Sequence, residues 1–187
     1  MLYVIRHGRT ERLEQKRHQG WANNPLSEKG EVQAWRAGAR LLKHDGAKNA
    51  TAIFCSPLLR CRQTADAINK FLNLPIIFDE RITEYSKGSL EGMWKASLGP
   101  VLYEDGMTNP RKYGGENHDD VYKRVKSFID DLRKKKIDNV IIVTHQGTIN
   151  MIKYVIEHDK WDAGNFKDDR DNFRNGEIYE FNIYRDK

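Results

Sequence analysis

Only two of the 187 residues are cysteine, Cys55 and Cys61. Two cysteines build no disulfide framework, and free thiols in a reducing compartment are expected. No apolar run approaches the roughly 20 residues of a membrane span. The chain enters an apolar segment at Leu2 with no basic and apolar leader ahead of it. A cytoplasmic protein without a membrane partner is the expectation. No HExxH, no Cys/His cluster and no close-spaced aspartates occur, so neither metal nor cofactor is expected. Repeats, low-complexity segments and Pro/Gly/Ser-rich linkers are also missing, and the length suits one domain over residues 1–187. The net charge is +5, from 32 basic and 27 acidic residues. That balance favours anionic partners in general. It does not by itself separate nucleic acid from a small phosphorylated molecule, but no recognised nucleic-acid motif occurs, and no nucleic-acid partner is expected. The dense basic run at residues 133–136 closes a predicted helix and complements its dipole. The sequence leaves the oligomeric state open.

What is present alternates between strand and helix. LYVIR (2–6) and NVIIVT (139–144) are continuous apolar runs, as in strands buried on both faces. AIFC (52–55) and PIIF (75–78) are shorter strands, and EIYEFNIY (177–184) alternates like an edge strand after Asn175-Gly176. Helices are predicted over 27–44 with Ser27 as N-cap, over 56–72 with Ser56 as N-cap and Pro57 first, from 117 with Asn117 as N-cap, and over 147–157. Val32, Trp35, Ala39 and Leu42 recur at helical spacing in the first, and Val121, Val125, Phe128, Ile129 and Leu132 in the third. Residues 79–116 are irregular and glycine-rich, with a short helix expected near 94–103, and form the candidate cap or loop region. The order implies an α/β fold, a three-layer α/β/α sandwich around a mainly parallel sheet, with a small cap.

Such sheets bind ligands at the carboxyl ends of their strands. His7 directly follows the first strand and His145 the fourth, each trailed by glycine within two residues. Arg60 falls in the first turn of a helix, where free N–H groups also favour an anion. Arginine forks match phosphate geometry, a neutral histidine is a nucleophile, and a second histidine, if protonated, adds charge around a transferred group. Arg6, His7, Arg60 and His145 together suggest phosphoryl transfer through a phosphohistidine, with arginines supplying the charge neutralisation a metal would otherwise give.

VIRHGRTE (4–11) resembles the arginine-histidine-glycine signature of the histidine phosphatase superfamily, the family of cofactor-dependent phosphoglycerate mutases. Further segments resemble that family in order: HQGWANNPLSEKGEVQA (18–34), SPLLRCRQTA (56–65), ITEYSKGSLEG (82–92), GGEN (114–117) and VTHQG (143–147). The resemblance implies a phosphoglycerate mutase-like fold and a metal-independent phosphomonoesterase. His7 would be the phosphorylated nucleophile, with Arg6, Arg60, His145 and Gln146 binding the phosphoryl group. Glu84 would be the general acid, and Gln19 and Gly20 would line the substrate side. Glu91 competes with Glu84 and is read as orienting a turn. Leu13 stands at the family's usual asparagine position, leaving Gln15 or Thr10 to supply that contact, and Asn117 replaces a serine. The short 93–115 segment suggests a partial lid open to water. That favours a phosphatase over a mutase, or over a degenerate member that binds phospho-ligands without turnover. The substrate would be a small metabolite of the α-ribazole phosphate or sugar phosphate type. Lys87, Lys95, Arg111 and Lys112 are expected to rim the pocket. Trp94 and Tyr103 are cap aromatics, for which packing is the expected fate. Cys55 is read as core and Cys61 as near the pocket. His118 is read as a solvated first-turn residue, and His18, His44 and His158 as surface residues.

Overall fold

The first strand, β1 (Leu2–Arg6), is buried along its whole length, so both of its faces must be covered. It runs parallel to β4 (Val140–Thr144), equally buried, which pairs on its far side with β2 (Ile53–Cys55). β3 (Ile76–Phe78) extends the parallel sheet beyond β2, and β5 (Ile178–Phe181) closes the other edge antiparallel to β1. The order β3-β2-β4-β1-β5 makes this a mixed, mostly parallel sheet with helices on both faces. The computed structural model describes residues 1–94, 96–158, 160–169 and 172–184, and of Tyr103 the backbone alone. Among the described residues, no helix is long and apolar enough to cross a membrane.

Strand alternation divides the core in two. Tyr3, Ile5, Ile53, Ile141 and Val143 face α2 (Glu28–Lys43) and α3 (Leu59–Leu72). Leu2, Val4, Phe54, Val140 and Ile142 face α5 (His118–Lys134) and α6 (Gln146–Glu157). The two short helices are α1 (Glu11–Glu14), capped by Thr10, and α4 (Gly99–Thr108), in the cap region. The apolar face expected of α5 is the buried one, and Asn117 and Asp120 form a capping box at its start.

Helix α2 corrects the sequence reading. Val32, Trp35 and Leu42 are about half exposed, whereas Gly30, Ala34, Ala37, Gly38 and Leu41 point inward. The small residues win because α2 packs close. A side chain at Gly38 would meet Phe71 and the Ile68 backbone, and one at Gly30 would meet the carbonyl of Arg9. Trp35 instead lies against Phe71 at the outer edge. Helix α3 begins two residues later than the Ser56-Pro57 signal implied. Its N-cap residue is Leu58, and the N–H of Leu59 is taken by Asn23 Oδ1 at 2.8 Å. The cap helix lies at 99–108 rather than near 94–103.

Candidate active site

The carboxyl ends of β1, β2 and β4 deliver His7, Ser56 and His145 to one place. A cavity of about 340 Å³ opens there, lined among others by Arg6, His7, Gln19, Arg60, Glu84 and Gln146. Gly20 borders the same cavity. All eight residues singled out by the sequence therefore lie in or against one pocket, His145 standing just behind its wall.

His7 is buried, and its Nδ1 lies 2.7 Å from the carbonyl of Gly8. A carbonyl can only accept, so Nδ1 carries the hydrogen and Nε2 keeps its lone pair. Arg60 Nε–H donates to that Nε2 at 3.3 Å. Burial above all, then the charges of Arg60 and Arg6, push the His7 pKa well below the ordinary histidine value. His145 is wholly buried, and its ring lies edge-on to His7 with centroids 5.1 Å apart. Burial and the charge of Arg60 lower its pKa too, so it is neutral while no anion occupies the pocket. Its Nε2 is 2.7 Å from Ser56 Oγ. This contact takes the hydroxyl that sequence pattern assigned to a helix cap. Cys61 packs behind the ring, with Sγ 3.4 Å from Nε2. Burial lifts its thiol pKa to about 12, which keeps it protonated. Both cysteines are free and buried.

Arg60 is held by the loop that follows α1. Its Nη1 and Nη2 donate to the carbonyls of Ala22 and Gly20 at 2.9 and 2.7 Å. Gly20 has φ +47°, and a Cβ there would meet the carboxylate of Glu91, so glycine is required. Gln19 Oε1 accepts from Thr10 Oγ1 at 2.7 Å and Asn24 Nδ2 at 2.9 Å, which leaves its amide hydrogens for the cavity. The far end of the chain fixes the other side. Arg6 Nη1 donates to the Phe173 carbonyl, Gly176 N–H to the Arg6 carbonyl, and Asn175 Nδ2 to the His7 carbonyl.

Glu84 reaches the cavity from the opposite wall. Its carboxylate accepts from Gly147 N–H at 3.3 Å, in the first turn of α6, and from the N–H of Tyr85. Arg124 braces the segment behind it. The guanidinium pairs with Glu116 and donates to the carbonyls of Arg81, Thr83 and Glu84. Trp21 Nε1 also donates to the Glu84 carbonyl, at 2.6 Å. Glu91 lies outside the cavity lining, and its Oε1 takes the N–H groups of Trp21 and Lys87. Its geometry is that of a turn organiser.

Several readings are corrected. Leu13 does line the cavity, but Thr10 is engaged with Gln19 and Gln15 is exposed outside the lining, so neither replaces the missing asparagine. Of the expected basic rim, Lys87 alone lines the cavity among the described residues, since Arg111 pairs with Asp120 and Lys112 with Asp105. Lys95 and the side chain of Tyr103 lie outside the described residues. His18 is buried and lines the cavity instead of the surface. His118 is half-buried, with its ring 4.7 Å from Phe166 and Nδ1 3.1 Å from the Tyr85 hydroxyl. His44 and His158 are only partly exposed, the former against Glu180 and the latter against Tyr154. Sequence reasoning missed Arg17, next to His18 in the lining, and Arg124, the brace. Trp94 is half exposed and carries the Arg17 guanidinium on its ring. Among the described residues, no three His, Cys, Asp or Glu side chains gather as a metal site.

A family model described as histidine phosphatase superfamily (branch 1) matches residues 2–187. The chain is 32% identical over 157 residues to a putative phosphoserine phosphatase of Hydrogenobacter thermophilus, covering 81% of this chain and 75% of that protein. It is 30% identical over 141 residues to a probable phosphoglycerate mutase of Escherichia coli, covering 71% and 62%. Among solved structures, a mycobacterial glucosyl-3-phosphoglycerate phosphatase aligns with a TM-score of 0.71 at 28% identity, over 83% of this chain and 79% of that one.

Proposed function

The chain belongs to the histidine phosphatase superfamily and is a phosphatase of it, and we propose that it hydrolyses small phosphomonoesters through a phosphohistidine on Nε2 of His7. The observation that carries this reading is the tautomer of His7. With Nδ1–H spent on the Gly8 carbonyl, Nε2 keeps the lone pair that can act as nucleophile once Arg60 turns from it to the phosphoryl group. It sits at the floor of a cavity that also holds Arg6, Arg60 and Glu84.

Nε2 attacks phosphorus as the bond to the substrate oxygen breaks, and Glu84 gives its proton to the departing alkoxide. Arg60 exchanges its contact with Nε2 for a phosphoryl oxygen. Arg6, His145 and the backbone N–H of Gln146 take the others, while Gln19 and Gly20 border the substrate side. The arriving dianion favours a protonated His145, reversing the state it has in the empty pocket. Glu84, now a carboxylate, takes a proton from water. The hydroxide attacks phosphorus, the N–P bond breaks, and inorganic phosphate leaves with His7 neutral again.

Release to water, rather than return of the phosphoryl group to another oxygen, is supported by the lid. Of the 93–115 segment only Met107 lines the cavity among the described residues, so this cap covers one side of it. A mutase needs water excluded throughout the lifetime of its phosphoenzyme. The volume suits a small phosphorylated metabolite, of the size of a sugar phosphate or α-ribazole phosphate.

The test is a quench of the enzyme with a labelled phosphomonoester, with inorganic phosphate and isomerised product measured in parallel. Acid-labile label on His7, absent in His7→Asn, with activity retained in EDTA, is expected. Full turnover by His7→Asn, or loss of rate on chelation restored by a divalent cation, would refute the mechanism. Rapid interconversion of 3- and 2-phosphoglycerate with negligible phosphate release would replace the phosphatase by a mutase.

A further inference from the structure

His145 has two ring nitrogens in a wholly buried place, and the groups around them decide which one carries hydrogen. His145 is the N-cap residue of α6, yet its side chain makes no capping bond. Its Nε2 instead faces Ser56 Oγ at 2.7 Å and Cys61 Sγ at 3.4 Å. The sheet fixes this meeting. Cys55 pairs with Val143 between β2 and β4, and the next N–H, that of Ser56, donates to the Val143 carbonyl at 3.0 Å. Ser56 and Cys61 are both fully buried, so solvent does not compete for either.

The direction of these bonds follows from their far end. The Cys61 thiol, which stays protonated, donates to the Thr144 carbonyl at 3.6 Å. A carbonyl only accepts, so the thiol hydrogen is spent there and the sulfur turns its lone pairs to its other neighbours. Those neighbours are Nε2 and the Ser56 hydroxyl. The hydroxyl gives its hydrogen to the sulfur and keeps two lone pairs. One takes the long contact from Leu58 N–H at 3.5 Å. The other is left for a hydrogen on Nε2. Every atom of this chain is then satisfied, with Nε2–H as donor and the free lone pair on Nδ1. His7, whose hydrogen sits on Nδ1, holds the opposite tautomer.

We propose that Ser56 and Cys61 are positioning residues that lock His145 with its hydrogen on Nε2, so that Nδ1 receives the proton a phosphomonoester monoanion brings into the pocket. The inference deepens the phosphohistidine reading and rests on it. The P–OH proton passes to Nδ1, and the substrate becomes a dianion beside an imidazolium whose other N–H is already held by Ser56. When hydroxide has cleaved the N–P bond, the proton returns from Nδ1 to the phosphate and leaves with it. The other titratable and charged groups around the ring are His7 and Arg6 from β1, Arg60 from α3, Arg124 from α5, and Glu84 beside Gly147. Arginines only donate, the lone pair of His7 faces Arg60, and the Glu84 carboxylate is turned to the N–H groups of Gly147 and Tyr85. None of these replaces Ser56 at Nε2.

Nitrogen NMR of protein carrying isotope-labelled histidine tests it. In the empty protein His145 should show a protonated Nε2 and an unprotonated Nδ1, and orthovanadate should leave both protonated. Ser56→Ala should admit the Nδ1–H tautomer, Ser56→Thr should restore the lock, and Cys61→Ala should fall between. A wild-type His145 with its hydrogen on Nδ1, or an unchanged tautomer in Ser56→Ala, would overturn the proposal. Kinetics on p-nitrophenyl phosphate, whose leaving group needs little help from Glu84, give a second readout. Above the second ionisation of the ester, wild-type kcat/KM should fall about tenfold per pH unit, since one proton must be taken up. In Ser56→Ala the Nδ1–H form binds the dianion without that proton, and the fall should lessen to about threefold or less per unit. A lower rate with the same slope would make Ser56 merely structural and would overturn the proposal too. The tautomer of the empty protein is read whether or not His7 is phosphorylated, and acid-labile label on His7 decides that reading separately.

Discussion

Replacing Arg124 by methionine removes the brace behind Glu84 while keeping most of the aliphatic volume. The side chains of Arg124 and Glu116 are 15% and 18% exposed, so the pair is largely withdrawn from water. Removing one partner strands the Glu116 carboxylate and frees the carbonyls of Arg81, Thr83 and Glu84 from their donor. Loss of one partner of a buried pair costs about 3–5 kcal/mol, and the residual exposure argues for the lower end. At about 2–4 °C per kcal/mol for a chain of this size, Tm should fall by roughly 6–12 °C. Removing both charges, in Arg124→Met with Glu116→Gln, should cost less than the single change because no carboxylate is stranded. The effect on catalysis should be graded by leaving group. Trp21 still holds the Glu84 carbonyl, so the segment loosens without detaching. A loosened acid should slow an alkyl phosphate by about tenfold to a hundredfold and an aryl phosphate by much less. Thermal unfolding and parallel kinetics on the two esters, below and above KM, make the measurement. A Tm within about 2 °C of wild type, or equal losses on both esters, would refute the reasoning.

Glu84→Gln should show the same asymmetry more strongly, with p-nitrophenyl phosphate hydrolysis far less affected than alkyl ester hydrolysis. Equal losses on both would instead point to a structural or water-activating role for Glu84. Stability should fall with acid. His7 and His145 stay neutral in the fold because burial and nearby arginines lower both pKa values, whereas in the unfolded chain each takes up a proton below about pH 6.5. The unfolded state then binds more protons, so stability is intact above that value and drops as pH falls towards the lowered folded values. One pH unit below it the two together cost about 3 kcal/mol, which calorimetry at pH 5.5 and 7.5 checks, with His145→Asn expected to remove about half of the difference. Gly30→Ala should destabilise by about 3 kcal/mol or more, read by denaturant unfolding, because its Cβ would lie 1.9 Å from the Arg9 carbonyl and backbone rather than side chain would have to move.

Where side-chain hydrophobicity and structure agree, the sequence was enough. Strand β1 runs over the residues its apolar run marks, β4 is one residue shorter than its run, and the inner face of α5 is the one that periodicity selects. The α2 face was misread for a physical reason. Hydropathy ranks tryptophan and valine above glycine and alanine, but a helix lying directly on another backbone must present its smallest residues. The start of α3 was misread because Ser56 Oγ accepts a long N–H contact from Leu58 ahead of the helix and meets His145 across the sheet, while the helix itself starts only at Leu59. The pocket residues marked by glycine and histidine at strand ends were legible. Arg17 and Arg124 were not, because one depends on a stack across residues 17 and 94 and the other on carbonyls some 40 positions away.

The position of β1 has a kinetic consequence. This strand precedes every other strand of the sheet in the chain, yet its two sheet neighbours are β4 and β5, beyond residue 139. Its last residues are likewise held by Phe173, Asn175 and Gly176. Until the residues beyond 139 are made, the five-residue strand Leu2–Arg6, which leads into His7, has no native partner, and its pairing closes loops of more than a hundred residues. Such non-local closure is slow and leaves the apolar edge exposed to other nascent chains. A fragment of this domain that stops before residue 139 therefore leaves β1 unpaired and His7 without His145 beside it, and should be prone to aggregation.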